Sequence, residues 1–184
     1  MSFLVKINEY LQNSNYKEYK NLIVLALNSN SRSAKYNLIT LRGEINDQLS
    51  SDIIRKFNKF TSSDMYLYIT SPGGSVIDGM QIIDQIKSLS DRNVKLTCIA
   101  DFAASMAFAI FQACPNRLIT SSTILMQHQM SLRIKGSLYN LNNYMDFIKE
   151  IDNDLDLMQA NKLGIDIKEF QNKITNDWWM SGSN

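Results

Sequence analysis

The chain has 184 residues, of which 45% are hydrophobic, and a formal net charge of +1. This length predicts one domain with a core, and the interspersed charges form no basic stripe, so nucleic acid is not an expected partner. The start of the chain has no secretory-signal pattern, and the apolar run over residues 102–113 is too short to span a bilayer, so no membrane partner is expected either. We expect a cytoplasmic or organellar (plastid-type) location.

The two cysteines, Cys98 and Cys114, lie in apolar surroundings without a metal-like spacing. Buried reduced thiols are therefore the expectation, and they favour a reducing compartment. We expect neither a disulfide framework nor a metal site, and no cofactor.

Strand-like and helix-like patterns alternate along most of the chain. Short alternating segments predict strands at residues 37–41, 65–70, 94–100, 117–120 and 123–126. Helical spacing of apolar residues predicts helices at residues 50–60, 76–89 and 105–113. The pattern predicts an α/β protein.

A long helix is predicted over residues 137–163, with Gly164 as its C-cap and a short helix over 166–174 behind it. Its apolar residues recur at three- and four-residue steps, over more turns than a lone domain needs. Either it packs on its own sheet as a core helix, or it lies against another subunit.

Ser105 is the candidate nucleophile. It follows a strand-like segment, stands among small side chains and opens an apolar helix, whose N-terminal N–H groups would face a developing oxyanion. The alternative is an ordinary packing serine.

His128, the chain's single histidine, and Asp177 are the candidate partners. A serine becomes a good nucleophile only when a neutral imidazole takes its proton and a carboxylate fixes the imidazole tautomer. Alone, His128 could equally be a hydrogen-bonded structural group, and Asp177 a solvated cap. Together the three residues indicate a Ser/His/Asp hydrolase.

The segment Ser71-Pro72-Gly73-Gly74 follows a predicted strand and allows a sharp turn and a close backbone approach. We expect the N–H groups of Gly74 and Met106 to form an oxyanion hole. The alternative is an ordinary strand-to-helix turn.

Four motifs in order make the chain similar to the ClpP family, the proteolytic subunits of the Clp protease. They lie at residues 66–74, 103–106, 126–129 and 175–181. The resemblance implies a ClpP/crotonase-like α/β fold of repeated β-β-α units with a protruding long helix, the handle on which two rings stack. It also implies Ser105 as nucleophile, His128 as base, Asp177 as orienting acid, and Gly74 and Met106 as oxyanion donors.

By the same resemblance, the substrate polypeptide would bind as an added strand. The segments expected to hold it contain Gly73, Gly74, Ser75 and Val76 on one side, and Gln129, Met130 and the following residues to 134 on the other. The implied assembly is a homo- or hetero-oligomer of stacked heptameric rings. An ATP-driven AAA+ unfoldase would feed it unfolded chains.

The chain departs from the family pattern at several points. Ala107 stands where the family usually has Gly, and residues 130–133 replace its usual Pro and glycines. Residues 1–36 do not match, so we predict a divergent N-terminal segment there and a peptidase domain over 37–184, shortened at its C-terminal end.

Other functions stay open beside a serine peptidase. They are a catalytically silent, ClpR-like ring subunit and a phage or viral prohead protease of the same fold. The intact Ser, His and Asp argue against the silent subunit. A crotonase-type acyl-CoA enzyme would not use a triad, and a Ser/Lys signal-peptide peptidase would need a membrane anchor.

Overall fold

The computed structural model describes residues 37–133, 135 and 137–183. The predicted N-terminal segment, 1–36, lies outside the described residues, so its prediction is not tested. The chain forms two compact units. One unit ends at Met126 and takes in the last residues from Trp179, and the other is Gln127–Trp178.

The first unit contains a five-stranded sheet in the order β1-β2-β3-β4-β5, with helices between the first four strands. The strands are β1 (Leu38–Arg42), β2 (Asp64–Ser71), β3 (Lys95–Ala104), β4 (Asn116–Gln127) and β5 (Trp178–Ser181). The connecting helices are α1 (Asp47–Lys59), α2 (Val76–Asp91) and α3 (Met106–Ala113).

Strands β1 to β4 are parallel. Parallel neighbours need a crossover connection, which explains the alternation of strand and helix in the sequence. Leu38, Tyr68, Ile99 and Leu118 form a buried apolar cluster across these four strands. The α/β class predicted from the sequence is confirmed.

The sequence around helix α1 explains where this helix begins and which side of it is buried. Asn46 precedes it, and the Leu49 N–H donates to the Asn46 Oδ1 at 2.9 Å, which satisfies one of the open N–H groups at the helix start. Ile53 and Phe57, one turn apart, are fully buried. The helix therefore packs one apolar stripe inward, as its spacing predicts.

Strand β4 joins the two short strands predicted at 117–120 and 123–126. Its pairing with β3 shifts between Ala100 and Phe102, which pair with Ile119 and Ile124. Thr123 is fully buried in this irregular stretch, and its hydroxyl donates to the Ala100 carbonyl at 2.8 Å. The predicted break is therefore a bulge within one strand.

The prediction for the cysteines was wrong: Cys98 and Cys114 form a disulfide. Cys98 lies in β3 and Cys114 directly follows α3, and their Cα atoms are 6.1 Å apart. Helix α3 returns alongside β3, so residues 16 positions apart in sequence become neighbours. The argument for a reducing compartment loses its premise with this bond.

The second unit contains α4 (Leu138–Leu163) and α5 (Ile167–Lys173). Gly164 ends α4 with φ 71°, a left-handed conformation that glycine adopts without a Cβ penalty. The Asp166 side chain caps α5 by accepting from the Lys168 N–H at 2.8 Å. Both predicted helices and the predicted C-cap are confirmed.

An apolar cluster holds the C-terminal part of α4 to α5. Ala160, Phe170 and Ile174 are its buried members, and Trp178 packs against them. The N-terminal part of α4 exposes large apolar side chains, namely Leu138, Tyr139, Tyr144 and Phe147. No helix in the described part of the chain has the length and apolar character of a membrane span.

Candidate active site

Ser105 stands at the junction between β3 and α3, where its backbone has φ 54° and ψ −126°. A residue with a Cβ rarely adopts such a positive φ, and it persists only where the surroundings hold it. The surroundings do so here, because the Ser105 N–H donates to the Met126 carbonyl at 2.9 Å and its carbonyl accepts from the Phe108 N–H at 2.9 Å. The half-buried serine is thus fixed from both sides of its backbone.

Helix α3 begins directly after Ser105. The Phe108 N–H makes the first backbone bond of the helix, back to Ser105, so the N–H groups of Met106 and Ala107 precede the helical ladder. The Met106 side chain is buried, and a Cβ placed at Gly79 in α2 would lie 2.6 Å from the Met106 Cε. Packing on α2 thereby fixes the start of α3 and the direction of its first N–H groups.

Gly73 is in direct contact with the segment around Ser105. Its φ is 96°, and a Cβ at this position would lie 2.7 Å from both the Ala104 carbonyl oxygen and the Ser105 Cβ. It would also lie 3.0 Å from the Met106 nitrogen. Only glycine fits here, so this backbone approach depends on the Gly-Gly pair.

Gly74 instead packs on Ile45. The Ile45 N–H donates to the Gly73 carbonyl at 2.8 Å, and the Ser75 N–H donates to the Ile45 carbonyl at 2.9 Å, which makes a parallel bridge. The bridge uses the Gly73 carbonyl and the Ser75 N–H, which both point toward Ile45. The N–H of Gly74 itself therefore points to the opposite side, away from Ile45. Gly74 is exposed.

Ser75 and Val76 begin α2. Ser75 is the N-cap, and its hydroxyl accepts from the Asp78 N–H at 3.3 Å. Its side chain therefore has a structural role. Its backbone is engaged as well, because its N–H donates to Ile45 and its carbonyl accepts from the Gly79 N–H at 3.0 Å. Both residues are half-buried.

His128 is half-buried and directly follows β4, in the second unit. Its backbone N–H donates to the Oε1 of the preceding Gln127 side chain at 3.3 Å. Gln127 in turn donates from Nε2 to the Oε1 of Gln159 in α4 at 2.7 Å. The backbone at His128 is thus connected to a helix more than thirty residues later in the chain.

The remaining predicted residues lie around the turn after α5. The Gln129 N–H donates to the Ile174 carbonyl at 3.2 Å, three residues before Asp177. Asp177 is exposed between α5 and β5, and Met130 is half-buried. Ile134, the last residue of the expected substrate segment, lies outside the described residues.

Two groups of predicted site residues emerge, one in each unit. The first unit brings Gly73 against Ser105 and Met106, and the second contains His128, Gln129 and Asp177. Ile45, which holds the glycine pair, was missed, and no motif marks it in the sequence. The described residues contain no group of three or more His, Cys, Asp or Glu side chains that could hold a metal.

Comparison with known proteins places these features in a family. The sequence model of the Clp protease family matches residues 24–184. The chain belongs to the Clp protease family. The match begins inside the segment that the motifs had left outside the resemblance, and it covers every predicted site residue.

Curated Clp protease subunits match over most of both chains. The ATP-dependent Clp protease proteolytic subunit 1 of Borreliella burgdorferi is 28% identical over 159 residues, covering 83% of this chain and 81% of that protein. The ATP-dependent Clp protease proteolytic subunit of Borreliella afzelii is 27% identical, covering 83% and 80%. The predictions of a ClpP-family member and of a serine endopeptidase are confirmed.

Proposed function

We propose that this chain is the proteolytic subunit of an ATP-dependent Clp-type protease and cleaves unfolded polypeptides at Ser105. The carrying observation is the Ser105 backbone, held at φ 54° between a buried strand and a helix start in a Clp protease family member. A strained strand-to-helix turn presents a hydroxyl clear of its neighbours, as a nucleophile requires. His128 is proposed as the base and Asp177 as the orienting acid.

In the acylation step, the Ser105 Oγ attacks the scissile carbonyl carbon and its proton moves to the His128 imidazole. The carbonyl oxygen becomes an oxyanion, which the Met106 and Gly74 N–H groups would bind. The positive end of α3 stabilises the same charge. The tetrahedral adduct then collapses, the C–N bond breaks, and His128 gives the proton to the leaving amine.

In the deacylation step, water attacks the ester carbonyl and gives a proton to His128. The second adduct releases the carboxylate product, and the proton returns to Ser105. Asp177 would hold the imidazole tautomer and stabilise its charged form in both steps.

The substrate would lie as a strand between two segments. Gly73, Gly74, Ser75 and Val76 would line one side of this strand, and Gln129 and Met130 would line the other. The exposure of Gly74 and Gln129 supports this proposal. The Gln129 N–H already donates to the Ile174 carbonyl, so Gln129 would meet the substrate through its own carbonyl.

We also propose stacked heptameric rings of this chain, alone or with a related subunit, fed by an AAA+ unfoldase. The family supports a ring assembly with ATPase partners in general, and the exposed apolar side chains at the start of α4 support burial against another subunit. Sedimentation at micromolar concentration should show a large oligomer. A monomer alone would contradict the ring.

Replacing the nucleophile tests the proposed chemistry. Ser105→Ala should abolish hydrolysis of a short fluorogenic peptide and leave the unfolding temperature close to that of the wild type, because only an activated hydroxyl is lost. Ser90→Ala, on the exposed end of α2, is the matched control and should keep full activity. Undiminished activity of Ser105→Ala would overturn the assignment.

Replacing the proposed acid tests the triad separately. Asp177→Asn keeps the shape but cannot stabilise an imidazolium, so kcat should fall by about 10³-fold or more. Exposed Asp154→Asn, on α4, should have no such effect. Equal rates for Asp177→Asn and the wild type would show that another group, or none, orients His128.

A further inference from the structure

A chain of three hydrogen bonds runs from the backbone of His128 into α4. The His128 N–H donates to Gln127 Oε1 at 3.3 Å, and Gln127 Nε2 donates to Gln159 Oε1 at 2.7 Å. Gln159 Nε2 then donates to the Leu155 carbonyl at 3.1 Å, within its own helix. Each amide uses both its ends, so both have a fixed orientation.

Both glutamines are removed from water. Gln127 is 7% exposed and Gln159 is 1% exposed. Such amides are rarely buried unless their partners are in place, because an unpaired buried amide loses its hydration without compensation. The pair therefore has one favourable arrangement, and that arrangement sets the position of the Gln127 oxygen that receives the His128 N–H.

A second hydrogen bond restrains the position of the backbone directly after His128. The Gln129 N–H donates to the Ile174 carbonyl at 3.2 Å, and Ile174 is buried in the apolar cluster with Ala160 of α4. His128 thus lies between two tethers, one through Gln159 and one through Ile174. Both tethers lead to the packed junction of α4 and α5.

We propose that Gln159 is a positioning residue for His128 and acts through Gln127. This inference rests on the proposed function, because it gives His128 the role of base. Gln159 touches neither substrate nor reacting atoms. Its amide oxygen holds the Gln127 side chain, which restrains the peptide plane before His128 and so limits the positions that the imidazole can take.

Gln159→Leu keeps a similar volume and leaves Gln127 Nε2 without its acceptor. We expect kcat for a short peptide to fall about tenfold or more with little change in KM, because substrate contacts remain while the base is misdirected. The unfolding temperature should fall as well. The matched control is Gln171→Leu, which removes the half-buried amide bonded to Asp156 and should lower stability while kcat stays unchanged.

A double variant separates positioning from stability. In Gln127→Leu with Gln159→Leu, both buried partners are apolar, so much of the lost stability should return. The double variant also removes Gln127 Oε1, the acceptor of the His128 N–H, so kcat should stay low. Recovery of kcat together with stability, or a wild-type kcat in Gln159→Leu, would overturn the proposal.

The single histidine supplies a readout that needs no activity. With ¹³C-labelled histidine, the Cε1–H signal of His128 should shift or broaden in Gln159→Leu and stay unchanged in Gln171→Leu. An unchanged signal in Gln159→Leu would contradict positioning even if activity fell. If the wild-type chain cleaves no peptide and Ser105 does not react, the proposed function fails, while this signal still decides whether Gln159 orients His128.

Discussion

The backbone around Ser105 and the backbone around His128 are held by different interactions. At Ser105, main-chain hydrogen bonds with β4 and α3 hold the backbone, and Gly73 packs against it without room for a side chain. A disulfide ties β3 to the end of α3. At His128, side-chain amides and one main-chain bond lead to α4 and α5. The proposed nucleophile is thus held by packing around β3 and α3, and the proposed base by a polar network that single substitutions can loosen.

The comparison predicts the largest effect at Gly73. Gly73→Ala would push a methyl group into the Ala104 carbonyl and the Ser105 Cβ at a φ of 96°, so we expect a loss of about 4 kcal/mol in the free energy of unfolding. Peptidase activity should fall by about 100-fold or more, because Ser105, the proposed nucleophile, must move.

Gly43→Ala is the matched control for this clash. Its φ of 89° is similarly positive, but a Cβ there would meet no heavy atom of the described residues within 4 Å. Only the backbone strain should remain, at about 1–2 kcal/mol, with activity retained. Denaturant unfolding and peptide hydrolysis measure both variants. Equal losses at Gly73 and Gly43 would show that the contact with Ser105 does not matter.

The disulfide should have the next largest effect on the region around Ser105. Breaking the Cys98–Cys114 bond in Cys114→Ser should lower the free energy of unfolding by about 3 kcal/mol, as the loop-entropy account gives for a loop of this size. Reductant should lower the stability of the wild type and leave that of the variant unchanged. Two free thiols in denatured, unreduced wild-type protein would contradict the bond.

In the unit that contains His128, we expect the stability of the fold to depend on pH. Burial raises the pKa of the Asp156 carboxyl to about 6; the bond from Gln171 lowers it, and the nearby Asp152 raises it. The folded protein therefore binds this proton more tightly than the unfolded chain does. The resulting loss of stability is absent below about pH 4, grows between pH 4 and pH 6, and is complete above pH 6, because the unfolded chain gives up this proton at a lower pH than the folded protein does.

Asp156→Asn should remove that loss of stability. The variant keeps an oxygen for Gln171 and should be more stable than the wild type at pH 8, by on the order of 2 kcal/mol. The difference should shrink as the pH falls from 6 to 4. Thermal unfolding across this range measures it, and a gain that is the same at pH 4 and pH 8 would exclude titration of Asp156 as its cause.

The sequence predicts a feature well when residues close together in the chain determine it, and poorly when distant residues do. Helix α4 and its Gly164 cap follow from local spacing and from one residue that allows a left-handed conformation, so they were predicted within a residue. The disulfide was not, because it depends on α3 folding back on β3. The Gln127–Gln159 bond was also missed, since glutamines in sequence do not show that they will be buried together.

The glycine pair lies between these cases. The sequence predicted a close backbone approach at Gly73 and Gly74, and the structure has one. Which glycine faces Ser105 depends on the bridge to Ile45, a residue with no motif of its own. The roles of Ser105, His128 and Asp177 in catalysis stay predictions.

Covalent labelling of Ser105 tests the central claim most directly. A fluorophosphonate reacts with an activated serine hydroxyl, so the intact wild-type chain should gain the mass of one adduct, and fragment masses should place it on Ser105. His128→Ala should label far more slowly, and Ser90→Ala as fast as the wild type. An adduct on another serine, or an unmodified chain in folded protein, would contradict the account.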